Sequence, residues 1–228
     1  MTKLKVELGK SSNNKPFIYN PLETPNLLIT SNNYEKNIVL NQLINTLIKN
    51  NSKTSVQIAL IDYENKNYSF LENDKHLFLP ISHDKDFTDN LLKFLTTLKT
   101  NRQFLLKKCN VHNIEQYNKQ ENNKLSYVFL IIDELEFLHK HNQIEQLLNL
   151  LNTARACGIF IIIATNNPSK KVITSNIKVN FIDTISFKLK SQEDLKWITD
   201  ISNPPNLTQN EFLAIRPLYD DGSIIFEL

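Results

Sequence analysis

Residues 127–134 read Tyr127-Val128-Phe129-Leu130-Ile131-Ile132-Asp133-Glu134, six apolar side chains closed by two carboxylates. A short apolar run rich in aromatic and β-branched residues predicts a strand buried on both faces. Such a strand delivers its Asp and Glu to one rim of a sheet. Outward from it, similar runs recur at residues 26–30, 56–62, 159–164 and 183–189, with a shorter one at 77–79. Between them the apolar period becomes helical. Leu40, Leu43, Ile44, Leu47 and Ile48 mark one helix, after Ser31-Asn32-Asn33 as cap material. Phe87, Leu91, Phe94, Leu95 and Leu98 mark a long one that continues past Leu105. Ile144, Leu147, Leu148 and Leu151 mark a third that runs to Arg155, with Gly158 in the left-handed closing position. A further helix is expected over 193–199. Extended segments are expected at 4–8 and 17–19, around a polar turn at 11–15, and again at 212–216 and 224–227.

Buried strands alternating with amphipathic helices predict an α/β fold, a mostly parallel sheet flanked by helices on both faces. Ligands of such sheets sit beyond the carboxyl ends of the strands. That rim gathers residues 30–37, Asp62, Asp133, Glu134, Thr165 and Asn166.

The bulk numbers suit one core: 228 residues, 41% hydrophobic and 22% charged. A net charge of +2, with only Arg102, Arg155 and Arg216 as arginines and the lysines scattered, describes a solvated surface rather than a basic track for nucleic acid. Cys109 and Cys157 have no CxxC spacing and read as reduced core residues. No apolar run approaches the roughly 20 residues that span a bilayer, and the N-terminus has no signal-peptide pattern; a soluble segment is expected. Glycine is scarce: Gly9, Gly158 and Gly222 are all there is. Any function that needs a glycine-rich loop must find it among these three.

Asp133 and Glu134 allow two readings. In the Walker B arrangement of P-loop ATPases, the Asp orients the shell of a magnesium ion and the Glu polarises the attacking water. Alternatively the pair caps the next helix, where carboxylates favour the dipole. Six segments in order argue for the first. Leu8-Gly9-Lys10, Pro16 and Pro25-Asn26-Leu27-Leu28-Ile29 resemble the lead-in to a Walker A loop. Ile61-Asp62 resembles a second strand end, and His112-Asn113-Ile114-Glu115-Gln116-Tyr117-Asn118 a segment ending in Tyr-Asn. Then come Ile131-Ile132-Asp133-Glu134, Thr153-Ala154-Arg155-Ala156-Cys157-Gly158 leading to Ala164-Thr165-Asn166-Asn167-Pro168, and Asn180-Phe181 leading to Ile185-Ser186-Phe187-Lys188. Together they resemble the FtsK/SpoIIIE-type ATPases, which implies a RecA-like P-loop NTPase fold. It also implies one degenerate domain over 1–228, with a short N-terminal β extension at 1–25.

The departure from that pattern is as specific as the match. The Walker A position falls on Ser31-Asn32-Asn33-Tyr34-Glu35-Lys36-Asn37-Ile38. The family pattern has glycines here, whose backbone N–H groups turn around phosphate, then Lys-Ser/Thr. Asn37 stands at the lysine position and Ile38 at the magnesium-binding hydroxyl. Lys36 comes one residue early, expected on another side of the helix, and Glu35 is expected to repel phosphate. Asn166 replaces a sensor glutamine. Asp133 and Glu134 are then vestigial, with no functional catalytic residue, no metal and no cofactor expected. ATP and magnesium retain one route, the helix N-terminus aimed at the rim.

Other residues leave alternatives open. His139 and His141 read as exposed surface residues or as two ligands of a metal site, with no third ligand nearby. Trp197 and Phe212 read as core or as an exposed docking surface. Among relatives with inactive modules, the resemblance is to the C-terminal domain of type VII secretion coupling ATPases of the EssC type. It implies a non-catalytic domain of a membrane-anchored chain, on its cytoplasmic side, in virulence-linked protein export. Its partners would be exported substrates, docked helix-in-groove, and neighbouring ATPase domains, with no DNA and no membrane insertion by this segment. The native chain is expected to extend upstream of Met1, and no winged-helix DNA reader is expected after the last strand. The competing reading is a weak ATPase or DNA translocase module that completes its site with a neighbouring subunit, with Arg155 reaching a shared nucleotide.

Overall fold

The computed structural model describes residues 2–64, 67–216 and 223–228; Gly222 lies outside them. Among the described residues, nine strands form one sheet: β1 (Val6–Lys10), β2 (Pro16–Tyr19), β3 (Leu27–Thr30), β4 (Val56–Ile61), β5 (Tyr127–Ile132), β6 (Ile159–Thr165), β7 (Asp183–Phe187), β8 (Glu211–Ile215) and β9 (Ser223–Glu227). Their order is β2-β1-β9-β8-β7-β3-β6-β5-β4. The five from β7 to β4 run parallel, and β8, β9, β1 and β2 continue the sheet antiparallel. The expected α/β class is therefore met, with a larger antiparallel wing than the N-terminal residues alone suggested.

The helices are α1 (Glu35–Asn50), α2 (Lys85–Lys108), α3 (Ile114–Gln120), α4 (Leu135–Lys140), α5 (Ile144–Leu151), α6 (Ser175–Lys178) and α7 (Gln192–Thr199). Strand alternation sorts them onto two faces. Phe129 and Ile131 point to the side where α1 packs Leu40, Leu43, Ile44 and Leu47. Val128, Leu130 and Ile132 point to the side covered by Leu91 and Leu95 of α2 and Leu147 and Leu150 of α5. Side-chain caps fix helix starts, among them those of α2, α3 and α7: Asp84 accepts from Phe87 N at 2.8 Å, Asn113 from Gln116 N at 2.9 Å and Ser191 from Asp194 N at 3.1 Å. Among the described residues, no helix is long and apolar enough to cross a membrane.

Four local expectations are corrected. Residues 77–79 are not a strand: Leu77 makes one parallel bridge to Ile58, and the segment crosses the β4 edge as a loop. Pro80, with no N–H to give, interrupts the ladder before Ser82 resumes contact with Leu60 and Ile61. α5 ends at Leu151 rather than Arg155, and a separate 3-10 turn at Arg155–Cys157 follows. Gly158 closes that turn at φ 71°, and a Cβ there would lie 2.4 Å from Ile114 Cδ1. Ser31, Asn32 and Asn33 do not cap α1; its N-cap is Tyr34, whose side chain makes no capping bond to the helix. His139 and His141 are half-buried, not exposed: His139 Nε2 lies 2.6 Å from the Val172 carbonyl oxygen, and His141 stacks on Tyr63.

Candidate functional site

The chain leaves β3 at Thr30, passes through residues 31–34 and enters α1. This helix must cross over β6 and β5 to reach β4, so its first turn lies above the carboxyl ends of the central strands. Glu35 and Lys36, its first two residues, are both buried. Lys36 Nζ donates to Asp133 Oδ1 at 2.6 Å and to the Asp133 carbonyl oxygen at 2.7 Å. The two side chains are 4% and 2% exposed. Lys36 is therefore not turned away from the acid pair. A carboxylate this deeply buried needs a counter-charge, and position 36 is where the register of α1 supplies one.

The remaining loop residues are likewise engaged. Ser31 Oγ donates to Glu35 Oε2 at 2.7 Å and accepts from Asn33 N at 2.9 Å. The Glu35 carboxylate thus lies folded into the loop, an anion where a phosphate loop presents donors. Asn32 ties three strand ends together: Nδ2 donates to the Asn166 carbonyl at 3.0 Å, and Oδ1 accepts from Lys190 N at 2.6 Å. Asn37 keeps a buried Oδ1 without a donor among the described residues. Tyr34 and Ile38 project outward, 55% and 41% exposed.

Glu134 meets both sequence readings. It is the N-cap of α4, accepting from Glu136 N at 3.3 Å. It also faces β6: Oε1 accepts from Thr165 Oγ1, and Oε2 from Asn166 N at 2.8 Å. Burial raises its pKa above the ordinary carboxylate range, against the hydrogen bonds from Thr165 and Asn166 and the nearby Lys36 charge. Asn166 thus contributes its backbone to the rim rather than a sensor side chain.

Sequence reasoning missed Tyr68. It is buried, and its pKa is raised by burial first, then by the charges of Asp133 and Asp62. An isolated aromatic in a polar stretch after β4 carries no local signal of that placement. Asp62, expected at the rim, is buried there, with its N–H on the Ser82 carbonyl at 2.9 Å.

Arg155 precedes β6 and so stands at the opposite, amino end of the strands. It donates to the Leu22 carbonyl at 3.0 Å and lines a cavity of about 230 Å³ with His112, Ile114 and Phe160. Phe212 is core, packed on Phe17, Phe187 and Phe226. Trp197 is half-buried: its Nε1 donates to the Ile173 carbonyl, and Lys170 and Lys178 lie over its ring. Both cysteines are free, Cys157 buried and Cys109 half-buried. Among the described residues, no cluster of three His, Cys, Asp or Glu side chains is placed to hold a metal.

Residues 1–153 match the model of the FtsK/SpoIIIE family. The chain belongs to that family. Among curated FtsK/SpoIIIE relatives, the DNA translocase FtsK of Chlorobaculum tepidum is 30% identical over 90% of this chain. That of Caldanaerobacter subterraneus subsp. tengcongensis is 31% identical over 99%. The chain spans 27% and 33% of the length of these two relatives. Among solved structures, EssC (ATPases 2 and 3) from Geobacillus thermodenitrificans superposes with a TM-score of 0.85 at 16% identity, over 99% of this chain and 44% of that one. The cytoplasmic domain of the Thermomonospora curvata type VII secretion ATPase EccC gives 0.83 at 15%, over 99% and 28%. At such identities the likeness is one of fold.

The FtsK/SpoIIIE fold implies magnesium and ATP, and the residues at this rim do not fit them. An ammonium sits on the carboxylate that would orient a magnesium shell. Position 38 offers an exposed isoleucine in place of a hydroxyl. Glu35 places a carboxylate inside the phosphate loop.

Proposed function

We propose that this chain is a nucleotide-independent FtsK/SpoIIIE module that works through protein contacts. Its place would be in substrate recognition or regulation within a membrane-anchored coupling ATPase for protein export, on the cytoplasmic side. The observation that carries the first half is the buried Lys36–Asp133 pair, which satisfies the first Walker B acid from within the chain. Glu134, bound to Thr165 and Asn166, has its oxygens taken up as well. The fold likeness to EssC and EccC modules supports the export setting. Neighbouring ATPase modules and exported proteins are then the partners.

A second reading, a DNA translocase module, is favoured by the FtsK relatives at 30% and 31% identity. Two titrations of the purified chain separate the readings. Calorimetry with Mg-ATP and fluorescence anisotropy with a labelled DNA duplex at physiological salt should both give no specific binding. Micromolar affinity for Mg-ATP sinks the nucleotide-independent reading. Tight, salt-sensitive duplex binding moves the module to the translocases.

A further inference from the structure

We propose that the Lys36 ammonium is a built-in replacement for a divalent cation on Asp133, one that keeps the carboxyl rim in its closed arrangement without any ligand. The inference rests on the nucleotide-independent reading and adds what holds the site shut. In a magnesium site the cation is surrounded by oxygens and neutralises carboxylate charge. Here the same job falls to Nζ, which contacts one carboxylate oxygen and the carbonyl oxygen of the same residue, at 2.6 and 2.7 Å. Tyr68 and Asp62, both buried, bring a hydroxyl and a second carboxylate into the same electrostatic environment. The surroundings are rich in oxygen atoms, and the cation that meets them is covalently part of α1.

The consequence is conformational. A bound ion comes and goes, and the loops that depend on it open and close with it. A lysine anchored two residues into a helix does neither. Its side chain is buried, and the loop before it, residues 31–34, is tied to the ends of β6 and β7 through Asn32, Asn166 and Lys190. The loop, the acid pair and the ends of β5, β6 and β7 are therefore fixed together in one setting. The module would present a constant rim to its neighbours where an active family member presents a ligand-dependent one.

The test separates charge from space. Lys36→Ala removes the ammonium and opens room beside Asp133; Lys36→Met removes the charge and keeps the room filled. Melting temperatures are read in EDTA and in millimolar Mn²⁺. Lys36→Ala should be destabilised in EDTA and recover with Mn²⁺, by roughly 3–6 °C at tenfold excess over its dissociation constant. The wild type, Lys36→Met and Lys36→Ala/Asp133→Asn should not respond. If Lys36→Ala is as indifferent to Mn²⁺ as the wild type, the replacement idea is overturned and the pair is a structural ion pair only. Should Lys36→Ala not fold, Lys36→Cys is made in a Cys109→Ala/Cys157→Ala background, which removes the two native free thiols and serves as the wild type for this comparison; it is aminoethylated in denaturant and refolded, which restores an ammonium at similar reach. Recovery of a wild-type melting temperature, independent of metal, supports the proposal; failure to recover removes it. Micromolar Mg-ATP binding by the wild type would instead defeat the nucleotide-independent reading beneath it, a result visible before any variant is made.

Discussion

Neutralising one half of the rim ion pair is the sharpest probe of how the site is held. Lys36→Met keeps most of the buried aliphatic volume, so the packing change is small, under about 1.5 kcal/mol. What changes is charge: the Asp133 side chain, 2% exposed, loses a partner at 2.6 Å. Removing one partner of a buried pair costs about 3–5 kcal/mol, because the other charge stays desolvated and uncompensated. For a chain of 228 residues, at about 2–4 °C per kcal/mol, the melting temperature falls by roughly 6–20 °C. Asp133→Asn should cost less, about 1–3 kcal/mol, since Lys36 keeps the carbonyl oxygen at 2.7 Å. The double variant has no charge left to strand and should lie at least about 2 kcal/mol above the sum of the two losses. Urea unfolding followed by the fluorescence of Trp197, the chain's one tryptophan, measures all four corners of the cycle. Losses that add within about 0.5 kcal/mol, or a Lys36→Met loss below about 1 kcal/mol, would show that the pair does not organise the rim.

Glu134 gives a pH signature. Its pKa is raised on folding, chiefly by burial, so its contribution to stability is fully present below the unfolded carboxylate value, about 4.3. That contribution is lost as pH rises through the higher folded value. Glu134→Gln cannot ionise; its stability relative to the wild type should therefore climb with pH above that range and then level off. An opposite slope in urea-unfolding free energies means the hydrogen bonds from Thr165 and Asn166 outweigh burial. Gly158→Ala combines a left-handed backbone with a Cβ 2.4 Å from Ile114 Cδ1 and should cost about 1–3 kcal/mol; a loss under about 0.5 kcal/mol rejects that account. Phe212→Ala, in the aromatic cluster that joins β8 to the N-terminal hairpin, should cost about 3–5 kcal/mol by the same measurement.

The sequence alone determined the repeating units. Runs such as Tyr127–Ile132 and residues 159–164 are apolar at every position and too short for a buried helix, so local composition decides them. It determined that two acids end the central strand and that no glycine stands in the loop after β3, because these are facts of identity and order. It did not determine α3, whose seven residues show no apolar stripe, although Asn113 as a cap was there to be read. It also made a strand of Leu77-Phe78-Leu79, where apolar character and edge position look alike locally. Only the tertiary structure decided the chemistry of the rim. Lys36 and Asp133 stand 97 positions apart. Their meeting depends on the order β3-β6-β5-β4, which carries α1 across the strand that Asp133 ends. Counted along an assumed helix, Lys36 points away; in the fold, a buried carboxylate without a counter-charge costs more than any local preference of the loop, and the lysine turns in to meet it.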